Sequence, residues 1–244
     1  MKLSDIKLGV EFPNTYLFTG ATGSGKTDAI GSFPGKIYIH DFDCRLGTLA
    51  ARYPHRGDDI EYDSYPTHRM LDFKSKVEGL VKDCPYDVVC FDSLTFLARN
   101  AVNHMIRSRS REGKVLGGWR VSDIEDYGGE TSVIVSLLDA VQRLRNQGKT
   151  VIVTAHLLPS EDATMPARVV TGGKSIAPMI PGAFDNVFYF YIDKDLEGNM
   201  IYKVRTRSSD KFAARTIFTK LPNVIDVSEK GLYSMIKEIT SKEK

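Results

Sequence analysis

One run, Gly20-Ala-Thr-Gly-Ser-Gly-Lys-Thr27, constrains this chain more than any other feature. It fits G-x-x-x-x-G-K-[ST], a pattern that functions only where a strand turns through a glycine-rich loop into a helix. The flanks comply: Thr15-Tyr-Leu-Phe-Thr19 is β-rich, and Asp28-Ala-Ile30 can continue a helix. Glycines at 20, 23 and 25 let backbone N–H groups curl around an anion without Cβ clashes. The start of the following helix adds the positive end of its dipole. Lys26 can reach the β- and γ-phosphates of a nucleotide, and the Thr27 hydroxyl can ligate Mg²⁺. The expectation is an ATP and Mg²⁺ site over Gly20, Ala21, Thr22, Gly23, Ser24, Gly25, Lys26 and Thr27. The competing interpretation is a glycine-rich turn with a surface lysine.

A chain of 244 residues can form one large α/β domain or two small ones. Short apolar runs predict strands over 15–19, 36–40, 87–91, 150–154, 187–192 and 201–206. Helices are predicted between the early ones, over 26–32, 67–82, 94–106 and 124–146. In the last of these, Val133, Leu137, Leu138, Val141 and Leu144 make an apolar stripe at helical spacing. Alternating strands and helices imply an α/β fold with a mainly parallel sheet covered on both faces. After residue 187 the strands follow one another across short turns such as Asp195–Asn199, so the sheet gains an antiparallel extension. A final amphipathic segment over 231–239 caps the sheet, and the expectation is a single domain over 1–244.

With 42% hydrophobic and 26% charged residues the composition is that of an ordinary globular protein. No apolar run reaches membrane-spanning length and no signal peptide is evident, so no membrane partner is expected. Cys44, Cys84 and Cys90 lack metal spacing, and their odd count points to a reducing, cytoplasmic setting. A net charge of +2 argues neither for nor against nucleic acid.

Asp87-Val-Val-Cys-Phe-Asp92-Ser93 is an apolar strand ending in a carboxylate, placed to hold Mg²⁺ as a Walker B aspartate. The residue after it is serine, so a water-polarising carboxylate must come from elsewhere. Asp41 and Asp43 follow the neighbouring predicted strand and are the candidates, Asp43 slightly preferred; Asp41 reads equally well as a turn or N-cap residue. His156 ends the strand that begins at Thr150 and could sense the γ-phosphate or the attacking water. Arg107, Arg109 and Arg111 form a basic cluster, followed by Lys114, Trp119 and Arg120 among glycines. Basic residues neutralise phosphates and an aromatic offers a stacking platform for unpaired bases. Arg168 and Lys174 flank Thr171-Gly-Gly173 in the long segment after His156. The alternatives are a solvated face and a Trp packed on its own domain.

Together, in this order, these motifs over residues 14–218 resemble the RecA-like P-loop NTPase core. Asp41-Phe-Asp43 is similar to the family's D-A-E, Phe91-Asp-Ser93 to its V-D-S, and Thr171-Gly-Gly173 to the T-G-G of its second DNA-binding loop. Asp43 and His156 stand where the family carries a catalytic glutamate and a glutamine sensor, and the shorter Asp43 implies slow hydrolysis. The resemblance implies trans-acting cations in a ring or filament of identical subunits, and Arg205, Arg207 and Lys211 are the nearest matches. Gly118-Trp-Arg120, Glu125-Asp-Tyr-Gly128 and Thr154-Ala-His156 resemble phage-encoded ATP-binding proteins on a minimal RecA core, which include single-strand annealing proteins. That implies single-stranded DNA as a partner, with a single-strand-binding protein beside it, in the host cytoplasm. The rival expectations are an accessory switch ATPase of replication or packaging that binds protein, and a small-molecule kinase.

Overall fold

A computed structural model describes residues 11–109, 115–158, 166–173 and 175–241. Strands are labelled in chain order. Six of them lie parallel: β1 (Thr15–Gly20), β2 (Ile37–Asp41), β3 (Ile60–Ser64), β4 (Val88–Asp92), β7 (Thr150–Ala155) and β10 (Asn186–Lys194). The strands β11 (Met200–Arg205) and β12 (Val224–Asp226) add antiparallel at one edge, giving the order β12-β11-β10-β1-β7-β4-β2-β3. The fold is thus the α/β arrangement expected, with its antiparallel extension on the carboxyl-terminal side. Two short hairpins stand apart from the sheet: β5 (Val115–Leu116) with β6 (Trp119–Arg120), and β8 (Leu157–Leu158) with β9 (Arg168–Val169).

The helices divide between the two faces because successive strand side chains point to opposite sides. Leu17, Tyr38, Val89, Phe91, Val151 and Val153 face one layer, formed by α3 (Met70–Lys82), α4 (Leu94–Ser108) and α5 (Ile124–Asn146). Tyr16, Phe18, Ile37, Ile39, Cys90 and Ile152 face the other, formed by α1 (Lys26–Gly31), α2 (Gly47–Arg52) and α6 (Leu232–Ser241). A sheet covered on both faces needs strands that are apolar throughout, and β1, β2 and β4 are buried along their whole length. His40 belongs to this packing. Fully buried, its imidazole stacks on Phe91 at 4.6 Å with no hydrogen-bond partner at either nitrogen. Burial pushes it down to about 3, so it packs as a neutral ring.

Where β1 has β7 on one side and β10 on the other, the chain leaves for α1 and re-enters the sheet three strands further along as β2. Crevices at such reversals, at the carboxyl ends of parallel strands, receive ligands. In register, Asp41 of β2 lies beside Asp92 of β4, and Thr19 of β1 beside Ala155 of β7. One sheet edge therefore collects the loop after β1, the turn after β2, Asp92 and His156.

Candidate functional site: a phosphate-binding cavity

A cavity of about 320 Å³ opens at this edge. Thr22, Gly23, Gly25, Lys26 and Thr27 of the loop line it, together with Asp43, Asp92, Phe96 and His156. Two glycines are indispensable to the loop's path. A Cβ on Gly20 would overlap the carbonyl oxygen of Phe190 in β10, and Gly25 caps α1 with φ of 93°. Both positions exclude larger residues.

Lys26 is buried, and its Nζ donates to the carbonyl oxygens of Gly20 at 2.9 Å and Ala21 at 2.7 Å. Burial pulls its ammonium down to about 8, against the attraction of Asp92 and Asp43. A cation so held is matched to an incoming anion, which supplies stronger charge-assisted bonds than carbonyls do. The Thr27 hydroxyl donates to Asp92 Oδ2 at 2.7 Å, and the Thr154 hydroxyl donates to Oδ1. A hydroxyl and a carboxylate in contact are the oxygen donors that Mg²⁺ takes alongside phosphate and water. The residues present thus fit Mg²⁺, which Thr27 and Asp92 would hold. Among the described residues no cluster of three or more His, Cys, Asp or Glu suits an all-protein metal site.

Residues 13–220 match the AAA domain family. The chain belongs to that family. It carries a P-loop ATPase-like domain, and the match runs from just before β1 to just before β12. No curated protein matches the chain.

Within this AAA domain the two aspartates at the end of β2 part company. Asp41 is buried; Oδ1 accepts the Cys44 amide at 2.8 Å and Oδ2 the Ser64 hydroxyl at 3.1 Å. It anchors the turn and does not line the cavity, which corrects its candidacy as a catalytic group. Asp43 does line it, and its Oδ1 is buried without a hydrogen-bond partner. Burial first, then the charges of Asp92 and Asp41, raise its carboxyl to about 6. At the end of β7, His156 donates its amide to Thr95 Oγ1 at 3.0 Å, while its carbonyl accepts the Val170 amide at 3.0 Å. Burial and the nearby Lys26 lower the imidazole's pKa, against the attraction of Asp92.

Sequence reasoning missed the remaining walls. Arg45, Thr48 and Arg52 come from the turn after β2 and from α2, and Tyr202 and Val227 from the antiparallel edge. A basic residue two positions beyond Asp43 was the signal available for Arg45. Nothing in the spacing marks Tyr202, because only the sheet order brings β11 to this edge.

The basic residues expected at a DNA surface are placed differently from one another. Arg107 and Arg168 are exposed, Trp119 is 80% exposed, and Arg120 is exposed and donates to the Ile106 carbonyl at 3.4 Å. Arg109 is a correction. Its guanidinium donates to Asp123 at 2.6 Å, Asp126 at 3.0 Å and the Val121 carbonyl at 2.8 Å, so it ties α4 to the start of α5 rather than facing a ligand. Arg111, Lys114 and Lys174 lie outside the described residues.

Thr171-Gly-Gly173 is not a free loop either. The amides of Gly172 and Gly173 donate at 2.7 and 3.1 Å to Glu130, a fully buried carboxylate of α5 that sequence reasoning overlooked. Of the cations expected to act in trans, Arg205 is half-buried on β11 and Lys211 is exposed. Arg207 is a third correction: its guanidinium is spent on the carbonyls of Thr206, Phe218 and Thr219.

Proposed function

We propose that this chain is a single RecA-like ATPase domain over 1–244 that binds ATP·Mg²⁺ and single-stranded DNA and promotes strand annealing or pairing in phage recombination. The observation that carries the ATPase half is the convergence of Lys26, Thr27, Asp92, Asp43 and His156 on one cavity. Lys26 binds the phosphates, and Thr27 with Asp92 would hold Mg²⁺, which would supply charge stabilisation to the phosphoryl group. Asp43 orients the attacking water and takes its proton. His156 reads the occupied site and passes it through Thr95 and Val170 to the segment ending in Thr171-Gly-Gly173.

The DNA half rests on Trp119, Arg107, Arg120 and Arg168 at the surface and on the resemblance to annealing proteins. Association of identical subunits in a ring or filament, with Arg205 or Lys211 serving a neighbour's site, belongs to the same proposal, as do a single-strand-binding partner and a cytoplasmic setting. Among the described residues no helix is long and apolar enough to cross a membrane. One observation favours the rival, a switch that docks on protein. Val115, Leu116, Trp119 and Ile124 are all exposed, while Arg109 is consumed internally.

The deciding experiment is ATP turnover and gel-shift binding with single-stranded DNA, duplex DNA or none. The proposal expects single strands to raise turnover. It also expects Trp119→Ala to cost about 1–3 kcal/mol of binding with little change in salt dependence, because stacking releases no counterions. Turnover indifferent to DNA, with no shifted band, would transfer the case to the protein-docking switch.

A further inference from the structure

We propose that Arg45 is a phosphate-contacting cation supplied in cis, delivered to the nucleotide by the turn that Asp41 ties. The inference rests on the ATPase reading of the cavity and adds a residue to it. The turn is unusual in its backbone. Cys44 has φ of 56°, a left-handed conformation that non-glycine residues adopt rarely. The Asp41 carboxylate holds it there, accepting the amides of Cys44 and Arg45 and the hydroxyl of Ser64. This geometry sends two side chains of the turn, Asp43 and Arg45, to the wall of the same cavity.

Around that cavity Arg45 feels the attraction of Asp43 on its own turn but, among the described residues, is bonded to no carboxylate. Its cations are Lys26, Arg45 and Arg52, and its carboxylates are Asp28, Asp43 and Asp92. Arg52 is paired with Asp28 at 3.2 Å and reaches the Ser228 carbonyl at 3.4 Å. Lys26 is held by two loop carbonyls. Among the described residues Arg45 is the cavity-lining cation whose guanidinium has no ion-pair or hydrogen-bond partner. A guanidinium presents a planar fork of donors matched to phosphate oxygens and keeps its charge at every working pH. Arg45 leaves the same turn as Asp43, the carboxylate assigned to the water, so its charge belongs to the phosphoryl group which that water attacks. In that step the water oxygen forms a bond to the γ-phosphorus, and the bond to the β–γ bridging oxygen breaks with its electron pair leaving on the diphosphate. The proton passes to Asp43. Arg45 exchanges no proton and stabilises the charge on the transferred group.

The test uses the full chain as wild type, Arg45→Ala, Arg45→Lys and Lys26→Ala. Mg²⁺-dependent binding of a non-hydrolysable ATP analogue and of ADP is measured, with turnover over a protein dilution series. Arg45→Ala is expected to lose about tenfold or more in turnover and in its preference for triphosphate over diphosphate, the scale of a lost charged hydrogen bond, while retaining ADP affinity as evidence of an intact fold. Arg45→Lys should restore part of both, and neither loss should depend on protein concentration. Arg45→Ala indistinguishable from wild type, with Lys26→Ala defective, would overturn the Arg45 assignment alone. Wild type that binds neither nucleotide would overturn the ATPase reading and this inference with it.

Discussion

Asp41 and Asp43 show how far two residues apart can mean two different chemistries. Asp41 has both oxygens occupied, one by the turn's Cys44 amide and one by the Ser64 hydroxyl of β3, and Asp43 keeps one buried oxygen unpartnered at the cavity. Asp43→Asn is therefore expected to bind ATP and fail to hydrolyse it, with Asp41→Asn loosening the turn instead. Normal turnover in Asp43→Asn would refute the assignment. A carboxyl raised to about 6 also fixes a pH dependence. Wild-type turnover should fall as pH drops through about 6, because protonated Asp43 accepts no proton. Its stability contribution has the opposite sense. The folded state penalises the ionised form, so stability is lost as pH rises from the ordinary carboxylate range to about 6. Asp43→Asn should then be the more stable protein at pH 7.5, by about 1 kcal/mol after allowing for solvent screening of a half-buried group. At pH 4 the two unfolding midpoints should converge; a fixed gap at both pH values would contradict this. The sequence placed both aspartates after the right strand. It could not separate them, because the separation lies in the hydrogen bonds of a turn with one left-handed residue.

At the scale of elements, legibility followed burial. The strands over 15–20, 37–41, 88–92 and 150–155 were readable because both faces are covered and each is buried almost throughout, with an apolar run at its centre. The helix α5 was readable by its stripe, in which Leu137, Val141 and Leu144 are buried. The short α2 buries only Leu49, β3 is an edge strand that is exposed or half-exposed throughout, and the hairpins span two residues a side, so none carries a periodic signal. The junction of α4 and α5 hid its main tie for a different reason. Arg109 looks like one of a solvated basic run, yet it closes the capping box that Asp123 and Asp126 form at the start of α5. Removing one partner of a buried pair leaves the other's charge uncompensated, so Arg109→Ala should cost about 3 kcal/mol in urea unfolding. Arg107→Ala on the exposed last turn of α4 should stay within about 0.5 kcal/mol of wild type. Equal effects at the two positions would show that Arg109 is only another surface cation.

For the whole molecule, the sheet order is what turns separate motifs into a site. The loop after β1, the turn after β2, the end of β4 and the end of β7 are far apart in sequence and share one edge. The antiparallel strands then bring Tyr202 and Val227 across to close the cavity from the other side. The central claim is that this edge binds a nucleoside triphosphate through the loop at 20–27. Its most direct test is the thermal unfolding midpoint of wild type and Lys26→Ala with and without Mg·ATP. A ligand at about a hundred times its Kd stabilises the folded state by about 2.7 kcal/mol, which for a chain of this size is about 5–10 °C. The account predicts that rise in wild type and its loss in Lys26→Ala, with both proteins folded beforehand. No shift in wild type, or the same shift in both proteins, would contradict it.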